Sequence, residues 1–190
     1  RVAEQDAQGA LLTLESELPF AYSARQRFDL RDGQLSITLE VTHRGDSPAW
    51  YGLGLHPYFP RTANTRLQVV AEAAWLCDEQ RLSRELVPLP TEWDFAAARP
   101  LPATCIDHAF AGWNGRACIH QPDLGYRLDC VASHCSHYLL FTPQERGFFC
   151  IEPVSHPVNA HHLPGRPGLR LLANGASARL GWSMRCQPTC

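Results

Sequence analysis

The dominant pattern along this chain has a period of two. From Gln34 to Thr42, Leu35, Ile37, Leu39 and Val41 alternate with Ser36, Thr38, Glu40 and Thr42. That spacing predicts a strand with one buried face. Asp32-Gly33 just before it reads as a hairpin turn back to an earlier strand around Tyr22 to Leu30. Ala178, Leu180, Trp182 and Met184 repeat the alternation near the end. Further strands are predicted at Leu67 to Ala71, Ala117 to His120, Tyr126 to Ala132, His137 to Phe141 and Gly147 to Glu152. Pro122-Asp123-Leu124-Gly125 reads as the turn between two of them. Helical signal is poor. The best candidate is Asp78 to Val87, ended by Pro88 and Pro90. With 15 Pro and 13 Gly spaced at strand-and-turn intervals, the expected fold is an all-β antiparallel sandwich forming one domain.

Composition narrows the function classes. The 190 residues, 45% hydrophobic and 19% charged, suffice for one sizeable core. A net charge of −2 without runs of either sign gives no footprint for nucleic acid or an anionic membrane. No apolar stretch approaches the ~20 residues of a membrane helix. The opening Arg1-Val2-Ala3-Glu4-Gln5-Asp6 is too polar for a signal peptide, which makes cytoplasm the default location. The eight cysteines include no Cys-x-x-Cys pair. They read as free structural thiols, with Cys130, Cys150 and Cys186 inside apolar strand patterns.

Three residues stand out chemically. His56 follows Gly52-Leu53-Gly54-Leu55, where glycines permit close approach, and precedes Pro57, which pushes it into an extended conformation. Glu152 ends the apolar run Gly147 to Ile151, where burial raises a carboxylate pKa toward the range of a general base. Asp107, in Cys105-Ile106-Asp107-His108-Ala109-Phe110, is a good acceptor for sugar hydroxyls. His108 beside it reads as a supporting or surface residue. Taken singly, each has a bland alternative. His56 could be a core histidine satisfied by a backbone carbonyl, Glu152 a strand-end carboxylate turned to solvent, and Asp107 a turn cap after Pro102. His134-Cys135-x-His137 and His161-His162 match no zinc spacing, so no metal site is expected. Phosphate-loop, nucleophile-elbow and dinucleotide motifs are absent.

The order of these elements is more telling than any one of them. His56-Pro57-Tyr58-Phe59, then Asp107-His108-Ala109-Phe110, then Glu152-Pro153 resembles the active-site signature of the aldose 1-epimerases, or galactose mutarotases, of the bacterial branch. Pro19-Phe20, Trp93-Asp94-Phe95 and Asn159-Ala160 add to the likeness, which runs from about Pro19 to the C-terminus. The resemblance implies a β-supersandwich, with Glu152 as catalytic base, His56 as catalytic acid and Asp107 as a ligand of sugar hydroxyls. It implies a small-molecule sugar substrate and no cofactor. A bell-shaped pH–rate profile would follow, with attraction between the two groups opposing the effect of burial. Family members are longer and begin with strands that normally bring an Arg, an Asn and a second His to the sugar. Residues 1–190 are accordingly expected to be the C-terminal part of a single such domain, with an exposed sheet edge. A hexose 6-phosphate epimerase is the first rival, with Arg61, Arg66, Arg81 and Arg84 as candidate phosphate ligands. A sugar-binding module without turnover is the second, and a purely structural sandwich the third. Oligomeric state is not legible.

Overall fold

The computed structural model describes residues 1–189. The first half of the chain forms β1 (Val2–Gln5), β2 (Gly9–Ser16), β3 (Tyr22–Arg31), β4 (Gln34–His43), β5 (Ala49–Tyr51), β6 (Tyr58–Pro60), β7 (Arg66–Val69), β8 (Ala73–Cys77), β9 (Ser83–Pro88) and β10 (Phe95–Pro100). The second half forms β11 (Asp107–Ala111), β12 (Arg116–Gln121), β13 (Tyr126–Ser133), β14 (His137–Phe141), β15 (Phe148–Val154), β16 (Arg170–Leu172) and β17 (Ser177–Pro188). Among the described residues, the helical elements are three short 3-10 turns at Thr91–Trp93, Pro122–Leu124 and Ala160–His162.

Every strand pairing is antiparallel. A nine-stranded sheet runs β1-β2-β3-β4-β17-β13-β12-β7-β10, and a six-stranded sheet runs β6-β15-β14-β11-β8-β9. A small third sheet pairs β16 with β5. The core forms where the two large sheets face each other. Leu67, Val69, Ile119 and Trp182 from the nine-stranded sheet meet Phe110, Tyr138, Leu140, Phe149 and Ile151 from the six-stranded one. A second cluster joins Val41 and Ala178 to Tyr51 and Leu172 of the small sheet. Phe110 and Tyr138 stack with centroids 4.8 Å apart and planes 5° from parallel.

The all-β antiparallel sandwich expected from period two is the observed fold. The Asp32-Gly33 hairpin is present, with both residues at positive φ (50° and 72°), as a tight turn matching strand twist requires. Two expectations fail. Asp78 to Val87 is a tight turn followed by β9 rather than a helix. The Asp78 carboxylate accepts from the backbone N–H of Gln80 at 3.0 Å and of Leu82 at 2.9 Å, which closes the turn. Val87 and Glu85 then pair with Ala74 and Leu76 of β8, and this ladder overrides local helix propensity. Cys186 is exposed rather than packed. Its alternation phase puts it opposite Leu128 at the far end of β17, beyond the covered part of the sheet. The other two thiols expected to pack, Cys130 and Cys150, are buried, and the seven described cysteines are all unpaired. Cys190 lies outside the described residues. Among the described residues, no helix is long and apolar enough to cross a membrane.

Candidate active site

The alternation of β15 divides its residues between two environments. Phe149 and Ile151 enter the core, while Cys150 and Glu152 point to the opposite face of the six-stranded sheet. Register carries this face across the neighbouring strands. Glu152 lies opposite Leu139 and Cys150 opposite Phe141. Leu139 and Phe141 in turn lie opposite Ala109 and Asp107 of β11. Tyr58 lies opposite Cys150 on β6. Residues directly opposite in an antiparallel pair share a face. Glu152 and Asp107 therefore stand on one surface, two strand spacings across and two residues along from each other, about 12 Å apart. Ala109, Leu139 and Phe141 form an apolar floor between them.

His56 reaches this surface from the segment before β6. Gly54 makes an isolated bridge to Val154, Leu55 N–H donates to the Pro153 carbonyl at 3.0 Å, and Leu53 N–H donates to Ser155 Oγ at 2.9 Å. These bonds lay residues 53–55 along the end of β15. The two glycines leave room for that close approach. A Cβ on Gly54 would stand 3.0 Å from the Val154 side chain, and one on Gly52 would fall 2.2 Å from the His156 ring. The His56 imidazole stacks on Tyr58 with centroids 4.7 Å apart and planes 8° from parallel. Its Nε2 lies 3.3 Å from Glu152 Oε1.

The two partners differ in environment. The His56 side chain is 52% exposed and that of Glu152 only 8%. Glu152 Oε1 is buried yet accepts no hydrogen bond, although His56 Nε2 stands 3.3 Å away. Burial, with the negative charge of Asp107 added, pushes the Glu152 carboxyl up to about 7. Desolvation is the larger cause, and Asp107 reinforces it. A carboxyl near 7 that lacks a donor is suited to take a proton from a ligand hydroxyl at neutral pH.

The bland alternatives for all three residues are excluded. His56 is half exposed, Glu152 is 94% buried by residue area (6% accessible), and Asp107 grips the guanidinium of Arg81 rather than capping a turn. His108 falls on the inner side, as alternation demands. Its Nδ1 is 3.1 Å from the Trp75 carbonyl and its ring stacks on Trp93 at 4.7 Å. Asn159 supports the turn Ala160–His162, its Oδ1 2.7 Å from His162 Nδ1. The four arginines considered for phosphate do not converge. Arg61 donates to the Pro102 carbonyl at 2.7 Å, Arg84 pairs with Asp78 at 2.5 Å, and Arg66 lies on β7 of the other sheet. Arg81, bound to Asp107, is the member of that set at the site. Sequence reasoning singled it out only for phosphate, because its contact with Asp107 joins the turn between β8 and β9 to the start of β11.

Among the described residues, one group of three side chains could hold a metal: His56, Cys150 and Glu152, with ligand atoms within 4.8 Å of one another. Burial pushes the Cys150 thiol up to about 12, so at neutral pH it is a protonated, poor ligand. Neither His134 and His137 nor His161 and His162 belong to this group. A cavity of about 530 Å³ is lined by Arg61, Thr62, Gln144 and Arg146 and touches none of the three site residues. A smaller one of about 230 Å³ opens beside Asp107, lined by Cys77, Asp78, Arg81, Cys105 and His108.

The chain that brings these residues onto one sheet face has known relatives. The aldose 1-epimerase family model matches residues 2–185. The chain belongs to the aldose 1-epimerase family. The match begins well before Pro19 and so takes in β1 and β2 as family structure. Over 177 residues the chain is 38% identical to the uncharacterized protein YphB of Escherichia coli K12, with 88% of this chain and 61% of that protein covered. It thus spans about three fifths of that relative's length. The crystal structure of a provisional aldose 1-epimerase from Escherichia coli K12 superposes with a TM-score of 0.93 at 34% identity, covering 99% of this chain and 68% of the other. Galactose 1-epimerase from Lactobacillus acidophilus shares the fold at 18% identity and a TM-score of 0.77, covering 100% of this chain and 66% of the other.

Proposed function

We propose that this chain carries the acid/base pair of an aldose 1-epimerase acting on a cyclic hexose such as glucose or galactose. The observation that supports this reading most is the 3.3 Å approach of His56 Nε2 to Glu152 Oε1 on the face that also carries Asp107. In the proposed reaction the Glu152 carboxylate takes the proton from the anomeric hydroxyl. Protonated His56 donates to the ring oxygen, the bond from C1 to the ring oxygen breaks, and the free aldehyde forms. Rotation about C1–C2 presents the other carbonyl face. Closure returns both protons along the same routes, so each group ends as it began and no electrons are transferred. Asp107, two strands away, accepts hydrogen bonds from ring hydroxyls and holds the sugar across the apolar floor.

The phosphorylated-substrate alternative is weakened by the dispersal of Arg61, Arg66 and Arg84. The test is polarimetry on freshly dissolved α-glucose and α-galactose with the full-length protein. Wild type should accelerate the approach to the anomeric equilibrium, while Glu152→Gln and His56→Asn should each lose most of that acceleration. Full activity in either variant would refute the role given to that residue. Wild-type sugar binding without acceleration would favour the binding-module alternative.

A further inference from the structure

The Arg81–Asp107 pair stands at the opposite end of the apolar floor from the acid/base pair, beside the 230 Å³ cavity that both residues line. Three features set Arg81 apart from an ordinary surface arginine. Its backbone sits at φ 64°, in the left-handed region, which is uncommon for a non-glycine residue and costs free energy to hold. The turn that holds it is braced from several sides. Arg81 N–H donates to the Asp78 carbonyl at 3.0 Å, Asp78 N–H donates to the Leu82 carbonyl at 3.0 Å, and the Asp78 side chain also binds Arg84. The Arg81 side chain is 62% exposed, so its pairing with Asp107 stabilises the fold only slightly. A strained, braced residue whose ion pair adds little to folding fits a role in ligand recognition.

The chemistry of the pair specifies the ligand. Asp107 can only accept and Arg81 can only donate. Side by side they match two adjacent hydroxyls, one giving a proton to the carboxylate and the other receiving from the guanidinium. Their charges cancel, leaving no net attraction for an anionic substituent, and the nearby Glu152 adds negative charge as it ionises.

We propose that Arg81 is a sugar-binding residue, acting with Asp107 as a paired donor and acceptor for adjacent hydroxyls of an uncharged aldose. The proposal rests on the epimerase reading for its substrate class. Its test reads binding separately from turnover. Calorimetry with galactose and glucose, on full-length protein carrying Glu152→Gln to suppress turnover, compares Arg81 with Arg81→Ala and Arg81→Lys. Arg81→Ala should weaken sugar binding about tenfold or more, the scale of a lost charge-assisted hydrogen bond, with an unchanged melting temperature. Lys should restore only part, since an ammonium lacks the planar fork. With Glu152 present, Arg81→Ala should raise KM and leave kcat within about twofold. Asp107→Asn, which frees the guanidinium, should shift preference from galactose toward galacturonate. Unchanged affinity in Arg81→Ala, or a fall in kcat at unchanged KM, would overturn the proposal. Wild-type protein that binds sugar without turning it over would defeat the epimerase reading and leave the Arg81 result interpretable.

Discussion

The outer face of the six-stranded sheet carries the same functional group in two contrasting settings, on β15 and on β11. On β15, Glu152 is buried, faces a neutral floor and a half-exposed imidazole, and stands at about 7. On β11, Asp107 is 29% exposed and bound to a guanidinium. In the proposed reaction the first carboxyl exchanges a proton near neutrality, while the second, bound to Arg81, holds the sugar. Environment rather than residue type divides the labour, and the division follows from where each strand meets solvent. Both strands are flanked on both sides, but Glu152 lies within β15, whereas Asp107 opens β11 next to the braced turn of Arg81.

That contrast can be broken from either end. The largest effect should come from Glu152→Gln, which should lower kcat by about 10²- to 10⁴-fold, the range for loss of a positioned base, as read by polarimetry. The same substitution should raise stability. A carboxyl whose folded pKa is raised from 4.5 to about 7 binds its proton more tightly in the folded state. Its ionisation therefore costs stability progressively as pH rises from about 4.5 to 7, and the full cost, up to about 3 kcal/mol, is present above 7. Denaturant melts should show Glu152→Gln more stable than wild type at pH 8 and equal to it near pH 4.

Gly52→Ala comes next. The added methyl would collide with the His156 ring at 2.2 Å, displacing the segment that aims His56, and should cost about 1–3 kcal/mol in thermal or chemical melts along with activity. Asp107→Asn should raise KM about tenfold with a smaller change in kcat, since it removes a holding group rather than a proton carrier. The smallest effect belongs to the 530 Å³ cavity. Arg61→Ala should leave glucose turnover within about twofold and reveal no phosphate-dependent rate, because Arg61 is committed to the Pro102 carbonyl away from the site.

Much of this was legible in the residues. The alternation of Leu35 to Val41 and of Ala178 to Met184 located β4 and β17, and the apolar run before Glu152 located β15. The first two strands escaped because Val2–Gln5 is exposed throughout and Leu11-Leu12 breaks the period in β2. Asp78 to Val87 misled because charged residues with good helix propensity there serve a turn and an outer strand. His56, Glu152 and Asp107 were marked by local context, but their convergence was not. It depends on the register of β11, β14 and β15, which no local pattern specifies. The Arg81–Asp107 contact and the missing donor at Glu152 Oε1 were hidden for the same reason.

The proton-accepting role of Glu152 is tested most directly by the pH dependence of kcat/KM for mutarotation of α-glucose, wild type against Glu152→Gln. The wild-type rate should rise with pH through a limb centred near 7, where the buried carboxyl ionises, and that limb should vanish in the variant. A wild-type limb in the ordinary carboxylate range, or the same limb persisting in Glu152→Gln, would contradict it.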